Sequence, residues 1–167
     1  MKAILTYHSI DSSGSPVSCD PESFERHLCF YSSGRVRVTT LTDLVSLPDD
    51  ADAIAITFDD AFVNFGEYAA PRLLDRGLPV TAFVVSDHVG GTNAWGGSAE
   101  RGIPHLPLLA WPRLRALSAS GVDLGAHTRT HCDLERVEDD RLEDEVRGCA
   151  DVMAQETGIR PDTFAYP

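Results

Sequence analysis

Two adjacent carboxylates, Asp59 and Asp60, stand at the end of a short apolar segment, residues 53–58. Like charges side by side repel each other, so both groups ionise only where a cation or a hydrogen-bond network compensates them. A buried strand that ends in paired charge is typical of a strand that presents those groups to a site. The pair therefore predicts a compensating partner elsewhere in the chain.

Two histidines, His127 and His131, are the best candidates for that partner. They follow another apolar stretch, residues 122–125, and their spacing lets two imidazoles converge on one ion from a turn or from a first helical turn. With one aspartate they make three protein ligands, the number typical of a catalytic zinc site, which leaves a fourth position for water or substrate. The second aspartate is then free to act as a base.

Each of these patterns also has a purely structural interpretation. An Asp-Asp pair after a strand often forms a turn or caps a helix, and two histidines at this spacing often lie on a solvated helix face. A metal site is favoured because both patterns follow predicted strands. His8 follows the first strand and either lines the pocket or is a satisfied core or rim histidine. The acidic run 135–145 is interpreted as a solvated helix face without a special partner.

The composition indicates one globular domain, residues 1–167, with 43% apolar and 24% charged residues. A formal charge of −12 argues against nucleic acid and other polyanionic partners and favours a neutral substrate. The four cysteines include no CxxC pair, which indicates reduced thiols. We expect a cytoplasmic protein without an integral membrane segment, because the first ten residues resemble a strand more than a signal peptide and no stretch could span a bilayer. No feature indicates an oligomer.

Strands and helices are expected to alternate along the chain, which indicates a parallel sheet, open or closed into a barrel. In both architectures, sites lie beyond the carboxyl ends of the strands. Asp59, Asp60 and His127 fall at such ends, as do His8 and Asp87. Residues 90–107 form a Gly- and Pro-rich loop of the kind that carries function. The predicted strands are 3–7, 35–39, 53–58, 79–85, 122–125 and one from 163. The first predicted helix starts at Pro21 after the N-cap Asp20, and further helices cover 41–47, 65–76 and 112–119. The last predicted helix starts at Asp140 with a capping box to Glu143 and has a buried stripe at 142, 146, 149 and 153.

Taken together, these segments resemble the polysaccharide deacetylase family of carbohydrate esterases. Thr57-Phe58-Asp59-Asp60 and the later His127-Thr128-x-x-His131 are similar to the first two motifs of that family, in the same order. The segments 5–9, 93–96 and 164–167 are similar to it as well. The resemblance implies an α/β fold, a distorted (β/α) barrel with fewer units than the eight-fold kind. It also implies a hydrolase that acts on carbon–nitrogen bonds by metal-dependent removal of N- or O-acetyl groups from sugars.

Carried over by position, the resemblance implies that Asp60, His127 and His131 hold one divalent metal. The ion would be zinc, with cobalt or nickel as alternatives. It would polarise the acetyl carbonyl and lower the pKa of its bound water, while Asp59 takes the proton as general base.

The same resemblance implies a carbohydrate substrate that contains N-acetylglucosamine. The candidate substrate-binding residues are Trp95, Tyr166 and Pro167. Trp95 in its Gly-rich loop either stacks on a sugar ring or anchors its own loop.

Several departures from the family pattern bear on activity. Ala61 stands where many members have Gly, and Ala165 stands where an Arg commonly braces the base. The aromatic residue whose backbone N–H helps form the oxyanion hole would follow Pro167, and the later motifs, with the general-acid histidine, are missing. We therefore expect a truncated chain whose barrel is incomplete at the C-terminus. The alternatives are a catalytically impaired relative that binds metal and sugar, missing strands supplied by another chain, and a deformylase or amidase on the same scaffold.

Overall fold

Strand β5 (Ala53–Phe58) is the centre of a five-stranded sheet in the computed structural model, which describes residues 1–96 and 99–167. It pairs along its full length with β1 (Lys2–Tyr7). The first two residues of β5 pair with β4 (Arg37–Val38) and the last two with β6 (Thr81–Val84), which pairs in turn with β7 (Asp123–Ala126). Every pair is parallel, so the carboxyl ends of β1, β5, β6 and β7 lie at one edge of the sheet.

All six residues of β5 are buried, because both faces of the strand are covered. Its even-numbered residues belong to the main core, together with the buried face of helix α1 (Pro21–Tyr31). The odd-numbered Ala53 and Ala55 pack with Leu44 of helix α2 (Leu41–Ser46). Packing on two sides fixes the direction in which the chain leaves β5, and the two aspartates follow there.

Helix α1 begins as predicted, after the N-cap Asp20, whose carboxylate accepts hydrogen bonds from two N–H groups of the first turn. Its buried residues are Phe24, Leu28 and Tyr31. Phe24 packs edge to face against Phe58, with 6.0 Å between the ring centroids. This contact ties the helical layer to the end of β5.

Two predicted helices, 65–76 and the one from Asp140, differ from expectation because each contains a π-helical turn. Such a turn changes the direction of the side chains that follow it, and π-turns are frequent at functional sites. The segments are the π-turn Phe65–Ala69 with α3 (Ala70–Leu74), and then α5 (Asp139–Glu143), the π-turn Asp144–Gly148 and α6 (Cys149–Thr157).

The capping box predicted at Asp140 is wrong. The N-cap of α5 is Glu138, and its side chain makes no capping hydrogen bond. Asp140 already lies inside the first turn, where its carboxylate accepts a hydrogen bond from the next N–H, that of Arg141.

The segment expected to form a strand from residue 163 makes a single parallel bridge, between Phe164 and Ala126 of β7. The N–H of Ala126 donates to the carbonyl of Thr163, and the N–H of Ala165 donates to the carbonyl of Ala126. The end of the chain therefore lies beside β7 in the order of the sheet.

The remaining elements include a small parallel sheet of β2 (Ser9–Ile10) and β3 (Ser18–Cys19), which was not predicted. The others are helix α4 (Trp111–Ala119) and 3-10 turns at Ser86–His88, Ala99–Arg101 and Leu134–Arg136.

All four cysteines are free thiols in the structure. Among residues 1–96 and 99–167, no helix combines the length and the apolar character needed to cross a bilayer.

Candidate functional site

The polar residues that follow β5 and β7 meet at the carboxyl edge of the sheet. Asp59 and Asp60 follow β5, and His127 follows β7. The N–H of Asp59 donates to the carbonyl of Tyr7 at 2.9 Å, and the N–H of His127 donates to the carbonyl of Val84 at 3.0 Å. These hydrogen bonds continue the ladders of the sheet by one residue. The sheet therefore fixes the backbone positions of Asp59 and His127.

Asp60, His127 and His131 each bring one ligand atom into a group whose members lie within 4.8 Å of one another. The Oδ1 atom of Asp60 lies 3.6 Å from Nε2 of His127 and 3.3 Å from Nε2 of His131. That oxygen is buried and accepts no hydrogen bond from any described residue. Because a buried carboxylate oxygen without a donor needs a compensating cation, one oxygen and two nitrogen ligands fit a divalent ion here. The assignment of these residues as metal ligands stays a prediction.

His127 is only 1% exposed, and its Nδ1 lies 2.9 Å from the carbonyl oxygen of Ala165. A carbonyl oxygen only accepts, so Nδ1–H is the donor, and Nε2 carries the lone pair that faces Asp60. Burial lowers the pKa of His127 to about 4, although the charge of Asp60 acts in the opposite direction. The imidazole is therefore neutral near pH 7, in the form that binds a metal ion.

His131 is held on one side by an aromatic ring. Trp95 stacks on its imidazole with 4.2 Å between the centroids and an interplanar angle of 14°. The rings of His127 and His131 meet edge to face at 5.0 Å. Trp95 therefore contacts a candidate ligand directly, beyond the loop-anchoring and sugar-stacking roles considered from the sequence.

The backbone of both ligand-bearing segments is strained. Within the described ranges, the residues other than glycine with positive φ are Asp60 at 68°, Ala61 at 54°, Thr128 at 64° and His131 at 59°. The left-handed conformation costs roughly 1–2 kcal/mol for such residues, and strain of this kind clusters at functional sites. It also explains why glycine suits position 61, since glycine adopts positive φ without a Cβ penalty.

Asp59 has an environment different from that of Asp60. Its side chain is 13% exposed, and Oδ2 lies 3.9 Å from Nε2 of His8. Burial, and then the neighbouring charge of Asp60, raises the pKa of Asp59 to about 7. In the described part of the chain, no arginine forms an ion pair with Asp59. Ala165 stands at the position where the family resemblance implies an arginine that braces the base. A carboxylate with a pKa near 7 is suited to accept a proton from water.

These residues line a cleft of about 350 Å³. Trp95, Tyr166 and Pro167 lie in its wall, and their role in substrate binding stays a prediction. His8 also lies in the wall, so of its two interpretations the structure supports the pocket position. Wall residues that the sequence analysis did not propose as site residues are Val17, Asn93, Gly96, Arg101, Ile103 and Asp133, most of them from the predicted functional loop 90–107.

A larger groove of about 910 Å³ adjoins this cleft and shares Asp133, Tyr166 and Pro167 with it. Its floor is partly apolar, with Leu142, Val146 and Phe164. The cleft therefore opens into a wider surface depression next to the candidate metal centre. The acidic residues that line this groove are Asp133, Glu135, Asp139 and Glu143.

Glu145 contradicts the prediction that the acidic run 135–145 is a solvated face without a partner. It is 2% exposed and accepts hydrogen bonds from the N–H groups of Arg129 and Thr130 at 3.0 and 2.9 Å. Burial by itself raises the pKa of Glu145, but these bonds and one from the Thr130 hydroxyl outweigh it, so the pKa is lowered overall. A signal existed in the sequence: Glu145 lies three residues after Leu142 and four before Cys149, which places it beside the predicted buried stripe.

Comparison with known sequences gives a family. A sequence model described as polysaccharide deacetylase matches residues 46–167. The putative polysaccharide deacetylase YxkH of Bacillus subtilis (strain 168) is 26% identical over 136 residues, which make up 78% of this chain and 43% of that protein. This chain thus spans less than half the length of that curated relative.

Solved structures share the fold. IcaB from Ammonifex degensii matches with a TM-score of 0.77 and 21% identity, over 99% of this chain and 73% of that one. The Streptococcus pyogenes deacetylase PplD, solved in complex with acetate, matches with a TM-score of 0.79 and 21% identity over the same shares. These matches confirm the predicted α/β class, with a parallel sheet consistent with a partial (β/α) barrel. Since the family match covers most of the chain, this protein belongs to the polysaccharide deacetylase family.

Proposed function

We propose that this protein is a metal-dependent hydrolase that removes acetyl groups from N-acetylated or O-acetylated sugars in a carbohydrate. The observation that carries the proposal is the convergence of Asp60, His127 and His131 beside the carboxyl of Asp59, whose pKa is about 7. Membership of the polysaccharide deacetylase family supports a hydrolase that acts on carbon–nitrogen bonds.

The three side chains suit zinc, with cobalt or nickel as alternatives, because one carboxylate and two imidazoles leave a coordination position open. When bound, such an ion supplies Lewis-acid activation of a water molecule and of a carbonyl oxygen. The chain contributes the orientation of the ligands. The carbonyl of Ala165 fixes the tautomer of His127, and Trp95 supports the ring of His131.

Proton transfers in this proposal use two side chains of the cleft. Asp59 takes a proton from the water that attacks the acetyl carbonyl carbon, and a pKa near 7 makes it an effective acceptor. The carbon–nitrogen bond then breaks, acetate leaves, and the sugar nitrogen needs a proton. Asp59 now holds the proton taken from the water, and we assign its return to the sugar nitrogen to a relay through His8, which lies in the cleft wall with Nε2 at 3.9 Å from Oδ2 of Asp59. Burial lowers the pKa of His8, so its imidazole is neutral and passes on the proton that it receives from Asp59.

The walls of the cleft support a carbohydrate substrate. A volume of about 350 Å³ is at the small end of the range of ligand pockets, which favours one sugar unit at the reacting position. The adjoining groove leaves room for neighbouring units of a polymer. The ring of Tyr166, in a residue that is 78% exposed, offers an aromatic surface to a sugar. The net charge of −12 favours a neutral sugar such as N-acetylglucosamine over an acidic one.

One observation favours a second candidate function, a catalytically impaired relative that binds metal and sugar. Oδ1 of Asp59 accepts no hydrogen bond from the described residues, so the candidate base lacks the support of a bracing group there. A base that is not held in position contributes less to the rate, because proton transfer needs hydrogen-bond geometry.

Acetate release separates the two candidates. The protein is incubated with N-acetylglucosamine oligomers after zinc or cobalt is restored, with a chelator-treated sample as the control and N-formylated oligomers as a comparison. We expect metal-dependent release of acetate. Folded protein that has bound zinc and releases no acetate would contradict the hydrolase proposal and favour the binding relative. Release of formate alone would indicate a deformylase on the same scaffold.

A further inference from the structure

A buried carboxylate outside the candidate metal centre holds the loop that carries both histidines. Glu145 lies in the π-turn between α5 and α6 and is 2% exposed. Its Oε2 accepts hydrogen bonds from the N–H groups of Arg129 and Thr130 at 3.0 and 2.9 Å, and its Oε1 accepts one from the Thr130 hydroxyl at 2.7 Å. All three donors lie between His127 and His131 in the sequence.

The loop, residues 127–131, needs such support because its backbone is strained. Thr128 and His131 both have positive φ, at 64° and 59°. Within the loop itself, one hydrogen bond closes the turn, from the N–H of His131 to Oγ1 of Thr128 at 2.9 Å. Residues in sparsely populated regions persist only where their surroundings over-determine the conformation. External contacts must therefore fix the direction in which the ring of His131 points.

The loop has further contacts with other segments. The N–H of Ser86 donates to the carbonyl of Thr128 at 3.3 Å, and the two histidine rings contact Ala165 and Trp95 as described above. The guanidinium of Arg129 contacts both carboxylate oxygens of Asp87 at 3.1 Å and pairs with Asp144 at 2.7 Å, but these side chains are 32–58% exposed, so solvent and salt screen the pairs. The N–H of Asp87 donates to the carbonyl of Arg129 at 3.0 Å. Hydrogen bonds to a buried ionised carboxylate are stronger than those between neutral groups. Glu145 is therefore a buried carboxylate that restrains two consecutive N–H groups of the loop.

We propose that Glu145 is a positioning residue that holds the 127–131 loop in its strained conformation and thereby sets the affinity of Asp60, His127 and His131 for a divalent metal. This inference rests on the metal centre of the proposed function. It also gives a role to a buried acid that accepts hydrogen bonds from Arg129 and Thr130, which lie between the two histidines. Partners of this kind, which orient metal ligands from outside, typically change metal affinity 10- to 100-fold when they are replaced.

Zinc affinity in two variants tests the inference. Glu145→Ala removes all three hydrogen bonds, and Glu145→Gln keeps an acceptor of nearly the same size but loses the charge. Glu143→Gln is the matched control, because Glu143 lies two residues away, pairs with Arg147 at the surface and is 64% exposed at its side chain. Competition with a chromophoric chelator should show zinc binding about 10- to 100-fold weaker for Glu145→Ala, an intermediate loss for Glu145→Gln and wild-type affinity for Glu143→Gln.

Hydrogen exchange of the metal-free proteins adds a readout that does not depend on zinc. The amides of Arg129 and Thr130 should exchange faster in Glu145→Ala than in wild type or Glu143→Gln, while peptides from β5 remain unchanged. Wild-type zinc affinity and unchanged loop exchange in both Glu145 variants would overturn the inference. A wild-type protein that binds no zinc would instead overturn the metal centre itself. If Glu145→Ala does not fold, Glu145→Gln carries the test.

Discussion

Asp59 and Asp60 show how two identical neighbours acquire different chemistry. Asp60 turns into a left-handed conformation with φ at 68° and faces two imidazole nitrogens. Asp59 faces the cleft near His8, and burial raises its pKa to about 7. The same side chain can therefore act as a ligand at one position and as a base at the next, because the backbone directs the two carboxylates to different surroundings.

The variant Asp59→Asn should keep the metal and lose activity. Asparagine has nearly the same size but cannot accept a proton from water, and general base catalysis contributes about 10²- to 10⁴-fold to rate. We expect acetate release to fall by that order while zinc content, measured by atomic emission, stays at the wild-type value. A fully active variant would rule out Asp59 as the base.

Binding of a metal ion should release a proton from Asp59. With a pKa of about 7, this carboxyl is mostly protonated near pH 6 in the metal-free protein, whereas His127, with a pKa of about 4, is already neutral. A divalent cation lowers the pKa of a neighbouring carboxyl, so binding releases up to about one proton from Asp59 near pH 6 and less near pH 8. Calorimetric zinc titrations in buffers of different ionisation enthalpy measure this release. It should be lost in Asp59→Asn, and an unchanged release there would contradict the assignment.

At the scale of elements, strand β7 must approach its neighbours closely to place His127. Gly125 lies two residues before that histidine, and a Cβ at this position would lie 2.3 Å from Cε1 of Phe83 and 2.8 Å from Oγ1 of Thr163. Phe83 belongs to β6, and Thr163 belongs to the segment that places Ala165 beside His127. A glycine here therefore lets three segments meet beneath the candidate metal centre.

The substitution Gly125→Ala should destabilise the protein by about 1–3 kcal/mol, the usual cost of forcing an extra methyl group into a packed site. Urea denaturation measures this change in the free energy of unfolding. Gly96 provides the control, since a Cβ there has no atom within 4 Å and Gly96→Ala should leave stability unchanged. Equal stability of wild type and Gly125→Ala would show that Phe83 can move aside without cost.

At the scale of the whole molecule, the candidate metal centre joins distant parts of the sheet. Asp60 follows β5 and the two histidines follow β7, and β6 lies between these strands. An ion held by all three residues links segments that are 67 or more positions apart in the sequence. Because the ligands converge only in the folded chain, metal binding should stabilise the fold.

Thermal unfolding should therefore depend on zinc. A ligand that binds only the folded state adds about 2.7 kcal/mol at 100 times its dissociation constant, so the midpoint temperature should rise with zinc and fall again with a chelator. The double variant His127→Ala, His131→Ala should lose this response and its bound metal, while Asp59→Asn keeps both. Unchanged metal content in the double variant would show that the ion binds elsewhere.

Local sequence was enough to predict the elements that carry the site. The apolar run before Asp59 and the N-cap Asp20 with its helix are short-range patterns, and each predicts the observed element. The alternation of strands and helices predicts a parallel sheet, and a parallel sheet places Asp59, Asp60 and His127 at one edge. The two π-turns were not predictable, since their side-chain spacing differs only slightly from that of an α-helix.

Only the tertiary structure decided how the candidate site is held together. The bond from His127 to the carbonyl of Ala165 spans 38 positions and involves a backbone oxygen, which every residue at that position would offer. The stacking of Trp95 on His131 and the bonds from the loop to Glu145 also join separate segments. Residue types and local spacing determine which groups can do chemistry. Their partners, protonation and backbone strain depend on burial and on non-local contacts, which exist only once the chain has folded.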